Sequence, residues 1–142
     1  MEPEVSRVVI LNLEPASLEF EPYRAMVFSN YLHNLRGSNP ALKCLNSRFY
    51  YKSQHEVLEK LLSRQGCTVR VAVLSDVPDV ALGWSISRPN VLDFVFVKRD
   101  GRKQGIGRAL LPASFSYVTH TTELGELLRQ RFFPKVKFDP KK

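Results

Sequence analysis

The segment Val91-Leu92-Asp93-Phe94-Val95-Phe96-Val97 is the most apolar in the chain and carries a single carboxylate. It runs directly into Lys98-Arg99-Asp100-Gly101-Arg102-Lys103-Gln104-Gly105-Ile106-Gly107, a basic stretch punctuated by glycine. A strand that passes through such a loop into a helix leaves the first N–H groups of the helix unpaired. Glycine lets a ligand approach those groups closely, and the helix dipole and flanking cations add positive potential. The chemistry this suits is the holding of a phosphate or pyrophosphate. Two nucleotide motifs fail on spacing. A Walker A loop needs Gly-Lys-Ser/Thr, which is absent, and a dinucleotide fingerprint needs a third glycine where Leu110 stands. The three His and two Cys are scattered without metal-ligand spacing, so no metal is expected. No Ser/His/Asp nucleophile arrangement is recognisable.

These residues need a frame. Val8-Val9-Ile10-Leu11 reads as a first strand, and Pro15 and Pro22 bracket a loop. From Tyr23 the pattern turns helical, with Met26, Val27, Asn30, Tyr31 and Asn34 on one side, ending at Gly37-Ser38-Asn39-Pro40. Phe49 to Arg64 predicts a second helix with Val57, Leu58, Leu61 and Leu62 as its apolar stripe and Gly66 as its cap. Thr68 to Val73 alternates as a strand, Asp76-Val77-Pro78-Asp79 is a turn, and Val80 to Ser87 completes a hairpin. Arg88-Pro89-Asn90 turns again into the apolar strand 91–97. A short helix opens at Gly105 and runs to Leu111, limited by Pro112. Tyr117-Val118-Thr119 is a strand, Glu123 to Phe132 a helix, and Val136-Lys137-Phe138 an edge strand. Hairpins joining some strands and helices separating others imply a mixed α/β sheet with helices on both faces. The strand after the 91–111 unit should run parallel to strand 91–97.

The spacing Arg102-x-x-Gly105-x-Gly107, entered from a strand that ends at Val97, resembles the signature of the GNAT superfamily of N-acetyltransferases. Three further stretches resemble short GNAT-like proteins of tailed phages and prophages. They are Val27 to Leu32; Phe49-Tyr50-Tyr51 with His55 and Leu61-Leu62; and Tyr117 to Thr121 with Phe138-Asp139-Pro140. The resemblance spans most of residues 23–140. It implies a single GNAT-like domain over residues 1–142, α/β, with a mixed, mostly antiparallel sheet. A splayed parallel strand pair would form the CoA cleft. It further implies that acetyl-CoA or another acyl-CoA binds with its pantetheine arm along Val95, Phe96 and Val97. Its pyrophosphate would lie on Arg102, Lys103, Gln104, Gly105, Ile106, Gly107 and Arg108.

Acyl transfer from a thioester to an amine must remove a proton from the amine, polarise the carbonyl and reprotonate the leaving thiolate. Asp93, a charge in an apolar strand, is the candidate base, since carboxylates are rarely buried without a reason. The family's usual thiolate acid is a Tyr on the helix after the splayed strand. Residues 123–132 contain no Tyr, which leaves Tyr117 and His120 as nearby candidates. Ser29, Asn30, His55 and Trp84 are candidates for the acceptor side. Strand N–H groups near Phe94 to Phe96 would polarise the carbonyl.

The 142 residues carry a net charge of +7, unevenly placed. Residues 98–108 are net +4 and residues 129–142 net +5, so the remainder is mildly acidic. Two local clusters point to specific anion sites rather than general attraction to polyanions. The first cluster belongs with the cofactor's phosphates. The second, including the basic C-terminal segment 131–142, is either a solvated tail or a contact for an anionic acceptor such as DNA. Three functions remain open on the residues: an acyl-CoA-dependent N-acyltransferase, a DNA base-modifying protein of the Mom type, and a non-catalytic CoA- or anion-binding module. The missing helical Tyr favours the last. The acceptor, whether protein, small amine or DNA base, is not readable. No run reaches the roughly 20 apolar residues of a membrane span, and Met1-Glu2-Pro3-Glu4 does not begin a signal peptide. Cys44 and Cys67 read as free thiols in a reducing cytoplasm, and the late strand offers an edge for a homodimer.

Overall fold

In a computed structural model of the chain, the described residues are 7–38, 46–98, 105–119, 130, 133 and 135–139. Among these the order is β1 (Val8–Leu13), α1 (Glu21–Ser38), α2 (Ser47–Ser63), β2 (Thr68–Leu74), β3 (Val77–Arg88), β4 (Asn90–Val97), α3 (Ile106–Ala109), β5 (Phe115–Val118) and β6 (Lys137–Phe138). The six strands lie in one sheet in sequence order. The first three pairings are antiparallel, and β4–β5 and β5–β6 are parallel. The fold is therefore the mixed, mostly antiparallel α/β sheet expected, with the predicted parallel strand after the glycine loop.

Alternation along β2 sorts its side chains to two faces. Val69, Val71 and Val73 join Trp84, Ile86 and Phe94 beneath Val27, Phe28, Tyr31, Leu32, Tyr50, Leu58, Leu61 and Leu62 of α1 and α2. Ala72 faces the other way, against Ile106 of α3 and Leu110 just after it. Helices thus cover both faces. The buried side of α1 is Val27, Phe28, Tyr31 and Leu32, a slight rotation from the predicted stripe, because Asn30 is only half-buried. Asn46 starts α2, its side chain accepting from the N–H groups of Arg48 and Phe49 at 3.0 and 3.3 Å. Tyr50 ties α2 to α1 by donating its hydroxyl to the Leu32 carbonyl.

Most element boundaries shift by one to three residues from expectation. The β2–β3 turn is confined to residues 75–76, and Val77 already pairs with Leu74. Pro78, Asp79 and Val80 bulge out of the ladder before Ala81 meets Val73, which accommodates a proline with no N–H to donate. Helix α3 stops at Ala109, before Leu111, as suits a proline at 112. Strand β5 begins at Phe115 rather than Tyr117. The predicted helix 123–132 lies outside the described residues except for Gln130, which is helical. Among the described residues no helix is long and apolar enough to cross a membrane.

Candidate functional site

The site grows from an irregularity in β4. Ile86 pairs with Phe94 but Ser87 pairs with Leu92, so Asp93 is an extra residue, a β-bulge. A bulge puts two successive side chains on one face. Phe94 packs on Tyr31 with ring centroids 5.3 Å apart, and Asp93 is buried beside it on the α1–α2 side. The bulge also reverses which peptide groups face β3. Beyond it the Lys98 N–H donates to the Leu82 carbonyl at 2.8 Å. In an antiparallel ladder bonded pairs recur every second residue, so Phe96 and Phe94 share that side, opposite Trp84 and Ile86. The peptide of Val95 therefore faces away from β3.

On that other side lies β5, and it pairs with β4 only through Asn90, Val91 and Leu92. The last bond runs from the Thr119 N–H to the Leu92 carbonyl, 3.2 Å. Among the described residues no strand pairs with Asp93–Val97 on this side. Val95 is 36% exposed and Phe96 and Val97 half-buried. The parallel pair is thus joined at one end and leaves an open strand edge at the other. Beyond Val97, Gly105 precedes α3 with φ +76, a left-handed conformation that favours glycine. Among the described residues, a Cβ placed there would meet nothing within 4 Å. Ile106 is buried and anchors the helix, Gly107 lies against Val97, and Arg108 is exposed. Arg102, Lys103 and Gln104 lie outside the described residues. Gly83 lets β4 and α3 come together: a Cβ there would lie 2.6 Å from the Phe96 carbonyl oxygen and 3.1 Å from Leu110 Cδ1.

Asp93 has no exposed surface. Arg88 donates to both of its oxygens, Nε to Oδ2 and Nη2 to Oδ1, each at 2.9 Å. The Thr119 hydroxyl adds a bond of 2.7 Å to Oδ1. The bond to Asp93 raises the Arg88 guanidinium above its ordinary value, against the opposing effect of burial. Burial pushes the Cys67 thiol up to about 11, with the Asp93 charge adding to it. Burial likewise raises the Tyr31 phenol, and Tyr50 and Asp93 add to the effect. Sequence reasoning found Asp93 but missed Arg88 and Thr119. The one signal was an Arg just across the Pro89-Asn90 turn from an Asp that had to be buried.

The other candidates separate. Tyr117 is half-buried on β5, and His120 lies outside the described residues. Trp84, expected on the acceptor side, is wholly buried and stacks on Phe94 at 5.4 Å, which makes it core. His55 is exposed on α2, its ring 4.5 Å from that of Phe28 and its Nδ1 3.6 Å from Glu59. Ser29 is exposed on α1. The described residues contain no cluster of His, Cys, Asp or Glu able to hold a metal.

No family model matches this sequence, and no curated protein does. Solved structures match in fold. A Pyrococcus furiosus protein assigned as an acetyl transferase superposes with TM-score 0.57 at 16% identity, over 94% of this chain and 80% of its own. A ribosomal-protein-alanine N-acetyltransferase from Brucella melitensis biovar Abortus 2308 gives 0.52 at 18% identity, over 89% of each chain. An aminoglycoside N-acetyltransferase in complex with CoA gives 0.51 at 12% identity, over 98% of this chain and 92% of its own. The chain shares its fold with these acetyltransferases.

Proposed function

We propose that the chain is a GNAT-family N-acyltransferase that takes its acyl group from an acyl-CoA, with acetyl-CoA as the donor. The observation that carries this reading is the open edge of β4. The Val95 peptide faces it where β5 has ended, and Gly105 and α3 follow at the head of the same edge. An extended amide-bearing arm fits such an edge by strand-like hydrogen bonds. The N–H groups from Gly105 to Arg108, with the cations of 98–108, fit a pyrophosphate. The donor supplies an activated acyl thioester. The Val95 N–H, held beside that edge, is placed to polarise the thioester carbonyl. The acceptor nitrogen attacks directly, forming the C–N bond as the C–S bond breaks. The amine gives up one proton and the departing thiolate gains one. Tyr117 and His120 are the groups proposed to return a proton to the thiolate, and Ser29, Asn30 and His55 remain the proposed acceptor side.

The short phage-type resemblance carries with it a phage or prophage origin and a cytoplasmic location. The DNA-directed reading draws on residues 131–142, half of which lie outside the described residues, whereas the open edge of β4 is a specific observation that favours the first reading. Calorimetry with acetyl-CoA tests it. Saturable binding that CoA competes away is expected, and no binding at near-millimolar ligand overturns the reading. Thiol release scored with small amines, lysine- and N-terminal peptides, and DNA as separate acceptors then identifies the acceptor class.

A further inference from the structure

Asp93 stands at the bulge that decides which peptide of β4 faces the open edge. Were β4 to pair regularly through Asp93, with no residue bulged out, the alternation from Val91 would turn the Val95 peptide back toward β3. The groups that hold the bulge therefore control where the Val95 N–H points. Contacts converge on it from the two neighbouring strands. Arg88 comes from β3 and grips both carboxylate oxygens at 2.9 Å. Thr119, immediately after β5, donates its hydroxyl to Oδ1 at 2.7 Å. Thr119 also donates its N–H to the Leu92 carbonyl, the residue before the bulge, at 3.2 Å. Asp93 and Thr119 are both buried, so these bonds form where water does not compete.

We infer that Thr119 and Arg88 are positioning residues: with Asp93 they clasp β3, β4 and β5 where the parallel pair parts, and fix the Val95 N–H toward the open edge. Asp93 then acts through the strand it shapes. Its two oxygens are occupied by Arg88 and Thr119, and it has no surface at which to meet an acceptor amine. The thioester part of this inference rests on the acyltransferase reading; the clasp itself does not.

The test uses the full chain and substitutions at Thr119, which leave the ion pair whole. Thr119→Val keeps the shape and removes the hydroxyl; Thr119→Ser keeps the hydroxyl. In the ligand-free protein, the amide resonances and hydrogen-exchange rates of Phe94 to Val97 are expected to change in Thr119→Val and to return toward native in Thr119→Ser. With acetyl-CoA carrying a 13C label at the acyl carbonyl, the bound native protein should lower the carbonyl stretching frequency. Thr119→Val should lose most of that shift while CoA affinity stays within about threefold, a change of under 1 kcal/mol. Thr119→Ser should recover the shift. Unchanged amides in ligand-free Thr119→Val overturn the clasp, whatever the protein binds. A normal carbonyl shift in Thr119→Val overturns its positioning role. Failure of the native protein to bind acetyl-CoA overturns the acyltransferase reading instead, and the amide measurement still decides the clasp.

Discussion

Arg88 closes on Asp93 with two parallel bonds of 2.9 Å, and the carboxylate it holds has no exposed surface. A planar guanidinium matches a carboxylate in this way, whereas a lysine would offer a point charge. Such a pair is close to neutral for stability when whole, because desolvation offsets the attraction. Breaking it is another matter.

Asp93→Ala is therefore expected to cost about 2–4 kcal/mol, toward the lower part of the buried-pair range, since the guanidinium it strands is 14% exposed. The double variant Arg88→Met/Asp93→Leu should recover much of that loss, because it removes both charges and keeps the volume. Urea unfolding of the two proteins checks this. If the single variant loses under about 1 kcal/mol, the pair is not held in the way its geometry indicates.

Two glycines are required for different reasons, one steric and one conformational. Gly83→Ala would place a Cβ 2.6 Å from the Phe96 carbonyl oxygen and 3.2 Å from Val97 Cα, and backbone atoms cannot swing aside. It is expected to lower stability by about 1–3 kcal/mol, in the manner of overpacking, and to shift the open part of β4. Among the described residues Gly105→Ala meets no atom within 4 Å and costs only the strain of its φ of +76, about 1–2 kcal/mol. Gly105→Glu should fold as Gly105→Ala does yet lose acetyl-CoA binding, because its carboxylate would stand beside the pyrophosphate. Retained affinity in calorimetry would show that the loop holds no phosphate.

The strands and the short helix that opens after Gly105 were legible because their signals are local. Alternation at Thr68–Val73, the apolar run at 91–97 and the glycines at 105 and 107 each read over a few residues. The clasp was not legible, because it is made by distance in sequence. Arg88 meets Asp93 through a bulge that no periodicity announces, and Thr119 arrives from a strand 26 residues later. Asp93 could be flagged as a charge among apolar neighbours, but not assigned its partners. Trp84 was misplaced for the same reason: an aromatic on a hairpin reads equally as core or cavity wall until the opposite helices are in position.

Trp84 is the sole tryptophan, fully buried, and its indole N–H finds no acceptor among the described residues. Its emission should be blue-shifted and poorly quenched by acrylamide in the native protein, moving red on unfolding. An unpaired buried donor costs about 1–3 kcal/mol. Trp84→Phe removes that donor while keeping a ring against Phe94. It should therefore lose well under the ~3–5 kcal/mol typical of truncating a buried tryptophan to alanine. A loss as large as that would mean the N–H has a partner.

Cys67 gives the last prediction, and its sign follows from burial. The thiol is 7% exposed and is raised from 9.0 to about 11, by burial first and by the Asp93 charge second. Between those two values the unfolded chain releases a proton that the folded chain keeps. The unfolded state then binds fewer protons, so stability must fall as pH rises. Below about 9 the contribution of this group is constant and fully present. Tyr31, raised in the same sense, extends the decline to higher pH. Urea midpoints should therefore drop progressively from pH 9 to 11. In a Cys44→Ser background, where Cys67 is the remaining thiol, alkylation by iodoacetamide at pH 8 should be slow in buffer and fast above the urea midpoint, since the thiolate is the nucleophile. Rapid alkylation of the folded protein at pH 8 would show that this thiol is neither buried nor raised.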